Sequence, residues 1–333
     1  MISAGETLKT GEVVSAAVSD LILPFQVNQL GYRGRIVRLG ETVTDILNRH
    51  DYPQPVARLL AEALALTALL GAALKMEGKL TLQTKSDGPL DMLVVDYTSS
   101  GTLRAYAHFD AAAIAAHDAE AENATASLLG AGHMAMTIDQ GKYTERYQGI
   151  VPLSNTSLSE AAHTYFNQSE QIPTNIYLAA GRLVSTGEQG AVNGWQAGGM
   201  MIQYLPETGG TQLSKDFPSG DEPESDDQPE LEEDDRWIRA KALMNTIEDH
   251  ELLDPTLSLE RLVYRFYHED GVHVYDPISL KRGCQCSTQK VEQMLSQFST
   301  DDINAMVEDE KIKVTCEFCS QSYTFEPEQF LPE

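Results

Sequence analysis

The chain is poor in positive charge, and this shortage argues against one large class of partner. Its 333 residues contain 24 lysines and arginines against 50 aspartates and glutamates, a formal net charge of −26 at pH 7. Proteins bind nucleic acids through clustered Lys and Arg side chains that neutralise phosphates. We therefore predict that the protein has no nucleic-acid partner.

Targeting signals and long apolar runs are also scarce. Residues 1–20 form a polar leader without the basic and apolar regions of a secretory signal. The longest apolar stretch, residues 63–74, is shorter than the roughly 18 residues of a membrane-spanning helix. Hydrophobic residues nevertheless make up 42% of the chain, which is enough for a core. We predict a cytoplasmic protein with no membrane partner.

Motifs of the common enzyme classes are missing. The sequence contains no HExxH, P-loop or GxSxG pattern. It has one C-x-x-C, but without the βαβ pattern that surrounds this motif in thioredoxin-like oxidoreductases. Glycines at 187–199 lack the spacing of a phosphate-binding loop, and we assign them to turns and close strand packing. We predict that the protein is not an enzyme.

Residues 21–205 predict a globular α/β core domain. Residues 55–76 are apolar on almost all sides, as in a buried helix. Residues 79–109 contain three strand-like runs separated by turn residues, which predict a β-meander. A hairpin is expected over 134–151, and Ser157 followed by Glu160 predicts a capped helix over 157–169.

Composition changes at about residue 206, where we place an acidic and helical linker, 206–265. Residues 216–235 hold eleven acids, three prolines and no base, which predicts an extended, solvated segment. Helical spacing then places Trp237, Ala240, Met244 and Ile247 on one face. A second helix over 258–268 turns its apolar side chains inward, namely Leu259, Leu262, Val263 and Phe266. Both helices need apolar cover, either on the core domain or on the cysteine module.

All four cysteines lie in the last part, 266–333, as CQC (Cys284 and Cys286) and CEFC (Cys316 and Cys319). In a reducing cytosol such clusters indicate metal binding or redox chemistry more than a disulfide framework. Four thiolates suit tetrahedral Zn²⁺, which closes its coordination sphere and leaves no position for hydrolysis. We predict one zinc per chain, held by these four cysteines. Nearby lysines and arginines are expected to compensate the thiolate charge: Lys281, Arg282, Lys290, Lys311 and Lys313.

Two further features complete the cysteine module. Val291, Met294, Leu295 and Phe298 follow an inward-facing helical stripe, and Ser299 with Asp302 resembles a capping box. Residues 311–325 alternate as a hairpin with the C-x-x-C at its turn. The whole chain is thus predicted to be an α+β protein with a large N-terminal α/β core domain, an acidic linker with amphipathic helices and a small C-terminal four-cysteine zinc module.

Residue chemistry alone leaves two functions open for this module. In the first, zinc is purely structural, as in a zinc ribbon that mediates contacts. In the second, the module senses oxidants, because thiolates react with peroxide and neighbouring cysteines can resolve a sulfenic acid into a disulfide. Loss of zinc ligands forfeits about 10–16 kcal/mol of binding free energy in small zinc modules, so oxidation would unfold the module.

The cysteine pattern and several core segments resemble the 33 kDa heat-shock chaperonin family, the redox-regulated holdases. The similarity covers residues 21–330 and includes YRFYHEDGVHVYDP before CQC and, in the core, LQTKSDGPLDMLVV, ERYQGIVPL, YFNQSEQIPT and AGGMMIQYLP. It implies an ATP-independent chaperone that is inactive when reduced and zinc-bound. It also implies that oxidation pairs Cys284 with Cys286 and Cys316 with Cys319, releases zinc, and unfolds the module and the linker.

The resemblance implies partners as well. The oxidised protein is expected to bind unfolding proteins under oxidative stress, to dimerise when active, and to pass clients to ATP-dependent foldase chaperones after cellular thiol reductants act. From the helix pattern we add the hypothesis that loss of the module exposes a client-binding surface on the linker: Trp237, Ile238, Met244, Ile247, Leu262 and Phe266.

The linker hypothesis predicts the effect of a triple substitution. Changing Trp237, Met244 and Ile247 to Ser should remove most of the anti-aggregation activity of the oxidised protein, because a holdase surface needs exposed apolar area. Light scattering from a thermally aggregating client measures this. Undiminished activity of the oxidised variant would show that clients bind elsewhere.

Overall fold

The structure is a computed structural model that describes residues 20–29, 31–73, 77–117, 124–140, 146–187, 190–204 and 234–330. Nearly all of the polar leader and most of the acidic run lie outside these described residues. The expectations for those two segments, and the domain boundaries proposed from the sequence, therefore stay predictions.

Strands of the described residues form three sheets. In chain order they are β1 Leu21–Val27, β2 Tyr32–Leu39, β3 Lys79–Ser86, β4 Met92–Thr98, β5 Thr102–His108, β6 Ala131–Asp139, β7 Tyr147–Ser154, β8 Thr174–Gly187, β9 Gly190–Tyr204, β10 Val272–Val274, β11 Ile278–Ser279, β12 Lys281–Arg282, β13 Val307–Glu308, β14 Lys311–Thr315 and β15 Ser322–Phe325. The first sheet has the order β10-β1-β2-β9-β8, with β11 also on β1. The second has the order β12-β5-β4-β3-β6-β7, and the third is β13-β14-β15.

The α-helices of the described residues connect and cover these sheets. They are α1 Glu41–Leu47, α2 Gln54–Gly71, α3 Ala111–Ala116, α4 Ala124–Leu129, α5 Leu158–Tyr165, α6 Asp235–Met244, α7 Asp249–Leu253, α8 Leu259–Tyr267, α9 Thr288–Leu295 and α10 Thr300–Ala305. The mixed α+β class, with a large sheet core, helices in the middle and cysteines at the end, is as predicted.

Helix α2 lies between the first and second sheets and joins them in one core. It packs on β2, β8 and β9 from one side and on β3, β4 and β5 from the other. Its length and composition would allow it to cross a membrane, but 83% of it is buried inside the protein, as in the core helix of a globular fold. The predicted buried helix is confirmed, although it ends at Gly71 rather than at residue 76.

Most of the predicted core elements are confirmed. Strands β3, β4 and β5 form the expected antiparallel meander, and β6 pairs with β7 as the expected hairpin. Ser157 caps α5, and its hydroxyl and the Glu160 side chain form the predicted capping box.

The linker helices α6, α7 and α8 cover the outer face of the first sheet. Trp237, Met244, Ile247, Leu262 and Phe266 are all buried there, in one apolar cluster with side chains of β1, β2, β8 and β9. Of the two expected sources of cover, the structure therefore shows the core domain. Ile238 is a correction: it is 47% exposed and lies outside this cluster, so release of the linker would expose little more of it.

A buried glutamate in α2 generates a prediction about stability and pH. Burial raises the pKa of Glu62 to about 7, against the opposing effect of Arg58, whose Nε lies 3.4 Å from the carboxylate. Between the ordinary value of 4.5 and 7, the folded state binds more protons than the unfolded state. The folded state is therefore most stable, as far as Glu62 is concerned, below pH 4.5, where the carboxyl is protonated in both states. Its free energy of unfolding falls as pH rises from 4.5 through 7, because the buried carboxylate is then charged.

Glu62→Gln should therefore remove this pH dependence and stabilise the protein above pH 7 by up to about 3 kcal/mol. Urea unfolding between pH 4.5 and pH 8 measures the free energy. Glu41→Gln, which replaces an exposed glutamate of α1, is the control and should leave the profile unchanged. Parallel profiles for Glu62→Gln and the unsubstituted protein would contradict the expected burial effect.

Candidate metal centre

The four cysteine thiols meet at one point of the structure. Their Sγ atoms all lie within 4.8 Å of one another. The Sγ atoms of Cys284 and Cys316 are 3.6 Å apart, and those of Cys286 and Cys319 are 3.4 Å apart. All four are free thiols, with Cys319 buried and the others partly exposed. The predicted cysteines are therefore brought together as a single cluster.

Two local structures present these thiols. The second pair lies in the turn between β14 and β15, as predicted, and the N–H groups of Cys319 and Ser320 both donate to the carbonyl of Cys316. Ser320 takes a positive φ of 55°, which lets the chain reverse. The first pair follows β12 directly and ends at Ser287, which caps α9. The first pair thus lies between β12 and α9, and the second between β14 and β15.

The donor set fits a zinc ion. Zn–S bonds of about 2.3 Å in a tetrahedron place sulfurs about 3.8 Å apart, close to the observed separations. Sulfur-only ligands favour soft or borderline ions such as Zn²⁺ over Mg²⁺ or Ca²⁺. Among the described residues, these four cysteines form the group whose ligand atoms could hold a metal ion.

The thiols influence each other's ionisation. Burial raises the pKa of Cys284, but hydrogen bonds from Cys286 and the other thiols outweigh this and lower it to about 7. Burial, with the neighbouring sulfurs adding to it, raises the pKa of Cys319 to about 12. Cys284 thus loses its proton readily, whereas Cys319 keeps its proton. A divalent cation is what would allow all four to be thiolates together.

An arginine of the core domain lies at one of the thiols. Nη1 of Arg104, on β5, lies 3.9 Å from Sγ of Cys284, and the guanidinium also lies 4.0 Å from the ring centroid of Phe318. Asp96, its cross-strand partner on β4, holds Arg104 in this position with contacts of 2.6 and 2.8 Å. Sequence reasoning missed Arg104, because a single arginine on a strand carries no motif.

Four of the five basic residues expected to compensate the thiolates have other contacts. Lys290 donates to the carbonyl of Gln285 at 2.7 Å. Arg282, Lys311 and Lys313 lie near carboxylates: those of Asp45, Glu326 and Asp309, respectively. Sequence proximity to the cysteines therefore does not translate into contact with their sulfurs in these residues.

The cysteine module is attached to the core directly before its first ligand. Strand β12 pairs with β5 in parallel, and the N–H of Gly283 donates to Leu103. A Cβ on Gly283 would lie 2.4 Å from Cγ2 of Thr102, so only glycine permits this approach. On the other side of the cluster, the hydroxyl of Ser320 donates to the carbonyl of Arg49 at 2.8 Å.

The module has little core of its own. Its buried apolar cluster consists of Leu295, Ile303, Ile312 and Phe325. The predicted inward stripe on α9 is only partly correct, since Met294 and Phe298 are 44% and 43% exposed. The Ser299–Asp302 capping box is confirmed. So small a core suggests that the module depends on a cross-link through its cysteines.

Short strands connect the cluster to the linker helices. After α8 the chain forms β10 and β11, both paired antiparallel with β1, and then β12 on β5. The last linker helix and Cys284 are thus separated by a segment that is bound along the edges of both core sheets.

Comparison with known proteins identifies close relatives. A model of the family described as "Hsp33 protein" matches residues 20–326. The "33 kDa chaperonin" of Caulobacter vibrioides (strain NA1000 / CB15N) is 42% identical over 94% of this chain and 97% of its own length. The 33 kDa chaperonin of Shewanella loihica is 32% identical over 92% and 93%, respectively.

A solved structure shares the fold. The crystal structure of the 33 kDa chaperonin (heat shock protein 33 homolog) of Thermotoga maritima matches with a TM-score of 0.71 and 22% identity, covering 93% of this chain and 96% of that one. At this identity the likeness concerns the fold alone.

The position of Arg104 generates a prediction about metal affinity. Arg104→Met should weaken zinc binding by the reduced protein about tenfold, because a cation that contacts a ligand sulfur stabilises the thiolate. Competition with a chromogenic chelator measures the affinity. Lys79→Met is the matched control, since Lys79 contacts the same Asp96 and is not placed at a thiol. Equal losses in the two variants would show that Arg104 acts on Asp96 alone.

Proposed function

Because the chain belongs to the Hsp33 family of chaperonins, which are chaperones and not enzymes, we propose that it is a redox-regulated, ATP-independent holdase. The observation that carries the proposal is the meeting of four thiols within 4.8 Å at the end of a segment that leads directly from the linker helices. Such a cluster can change its charge and its covalent bonds in response to oxidants.

In the reduced state, Cys284, Cys286, Cys316 and Cys319 would hold one Zn²⁺. When bound, the ion neutralises thiolate charge and cross-links the small module. Arg104 adds a further positive charge at Cys284, and Ser320 holds the C-x-x-C turn against the core. The linker helices meanwhile cover the first sheet, so the protein is inactive.

Oxidation would consume the sulfurs that hold the metal. A thiolate attacks peroxide, the O–O bond breaks, and a sulfenic acid and hydroxide result; a second thiol then displaces water to form the S–S bond. Each disulfide thus uses one peroxide and two thiols. The resemblance to the family pairs Cys284 with Cys286 and Cys316 with Cys319, which leaves no thiolate ligand and releases zinc.

Loss of the cross-link would then act on the linker. The module's four-residue apolar cluster is too small to keep it folded alone. As the module unfolds, the segment before it, which contains β10, β11 and β12, is no longer held at its C-terminal end. The attachment of α8 to the core then weakens. Release of α6 to α8 would expose their buried apolar side chains: Trp237, Met244, Ile247, Leu262 and Phe266.

The rest of the chain supports this function. The net charge of −26 would keep a complex with an unfolding client soluble. We place the protein in the cytoplasm, where reductants can restore the thiols after stress. Dimerisation of the active form and transfer of clients to ATP-dependent foldases complete the proposal.

The proposal predicts two linked events in one experiment. Reduced, zinc-loaded protein treated with peroxide at mild heat should release close to one zinc per chain, measured with a chromogenic chelator. The same samples should suppress light scattering from a thermally aggregating client. Dithiothreitol should abolish the suppression, which separates cysteine chemistry from methionine oxidation because it does not reduce methionine sulfoxide.

Untreated protein at the same temperature is the control. Retention of zinc, or its release with no effect on the client, would contradict the proposal. Either result would leave a protein in which the metal is purely structural.

A further inference from the structure

Arg38 is a cation buried under the linker. It lies on β2 and is only 1% exposed, on the sheet face that α6, α7 and α8 cover. Burial lowers the pKa of its guanidinium to about 10, with Asp254 and Glu260 acting in the opposite direction. A buried cation is costly unless its donors are bound.

All three guanidinium nitrogens donate to main-chain oxygens of the linker. Nε donates to the carbonyl of Leu252 at 2.8 Å, Nη1 to that of Leu257 at 2.5 Å, and Nη2 to that of Glu251 at 3.1 Å. The first and third acceptors lie at the end of α7, where helical carbonyls lack intrahelical partners. Arg38 therefore caps this helix end and the turn after it from the core.

The strand beside Arg38 completes the docking site for α7. Gly198 on β9 is the cross-strand partner of Arg38. A Cβ on Gly198 would lie 2.6 Å from Cγ of Leu252, a side chain that is fully buried. Arg38 thus binds the main chain of α7, while Gly198 makes room for the Leu252 side chain.

Helix α7 is also bound to its neighbours. Arg265 of α8 forms an ion pair with Glu251, and the hydroxyl of Tyr177 on β8 donates to Asp249 at 2.5 Å. Helix α7 connects α6 to α8 in the chain. Release of α7 from the core would therefore detach the end of α6 and the start of α8 as well.

We propose that Arg38 is a positioning residue that clamps α7 to the core and so holds the linker in its docked, inactive arrangement. This inference rests on the proposed function. The acceptors are carbonyls of one short helix and its turn, so the three bonds exist only while this part of the linker is folded and in register. When α7 unfolds, water can reach the guanidinium, and the clamp opens without leaving a buried, unpaired charge.

Arg38→Met tests the clamp in reduced, zinc-loaded protein. The substitution keeps an apolar side chain but removes all three donors. Hydrogen exchange of the amides of 249–257 should become at least tenfold faster, whereas exchange in β3–β6 stays unchanged. Light scattering from the client should be suppressed without peroxide, with zinc still bound according to the chelator assay.

Two further variants sharpen the comparison. Arg33→Met removes an arginine from the same strand but from its other face, where Arg33 makes a 3.4 Å bond to Gln203, and it should behave like the unsubstituted protein. Gly198→Ala leaves Arg38 intact but displaces Leu252, and it should reproduce the effect of Arg38→Met. If Arg38→Met does not fold, Arg38→Lys, which cannot reach three carbonyls at once, takes its place.

The outcomes separate this inference from the proposed function. Unchanged exchange over 249–257 in the Arg38 and Gly198 variants overturns the clamp. Faster exchange without client binding also overturns it as a control of activity, provided that the oxidised, unsubstituted protein does bind client. If that oxidised protein fails as well, the proposed function is wrong, and the exchange data alone decide whether Arg38 docks the linker.

Discussion

The first sheet has two apolar faces, and both must be covered. Along β2, Tyr32 and Ile36 point to one side, while Val37 and Leu39 point to the other, and all four are buried. Helix α2 covers the inner face, and it also packs on β3, β4 and β5 of the second sheet. The outer face is covered by α6, α7 and α8, which come from a distant part of the chain. Much of the arrangement follows from this second cover.

The proposed function requires this second cover to be both stable and releasable. Apolar packing favours docking whenever the helices are folded, at about 25 cal/mol per Å² of buried apolar surface. Polar contacts such as those of Arg38 fix the position of the docked helices, since they require α7 to be folded and in register. The apolar faces of the helices are therefore buried as long as α7 stays folded and docked.

The cysteine cluster lies at the end of a segment that runs along both core sheets. The chain passes from α8 through β10, β11 and β12 to Cys284, and each of these strands pairs with a core sheet. Arg104 and Ser320 add contacts between the core and the cysteine module. The module's own apolar cluster is small, so its fold depends on what holds the thiols together. In the proposed function, these short strands would couple chemistry at sulfur to packing on the sheet.

Local patterns in the sequence were enough for most elements. Ser157 with Glu160 and Ser299 with Asp302 predicted two helix starts correctly, since a cap depends only on neighbouring residues. The spacing of Trp237, Met244 and Ile247 predicted one buried face. Short elements whose formation depends on a distant partner were missed, as α7 shows: it is five residues long and is held by Arg38 and Gly198.

The sequence by itself determined the cysteine pattern, the helical and strand periodicities, and the family to which the chain belongs. These are properties of residue type and spacing, which need no knowledge of distant contacts. Only the tertiary structure decided that the linker packs on the first sheet, that Ile238 lies outside this packing, and that Arg104 and Arg38 are the cations at the thiols and under α7. The physical reason is that burial and pairing depend on which surfaces meet, and these surfaces are contributed by segments far apart in the chain.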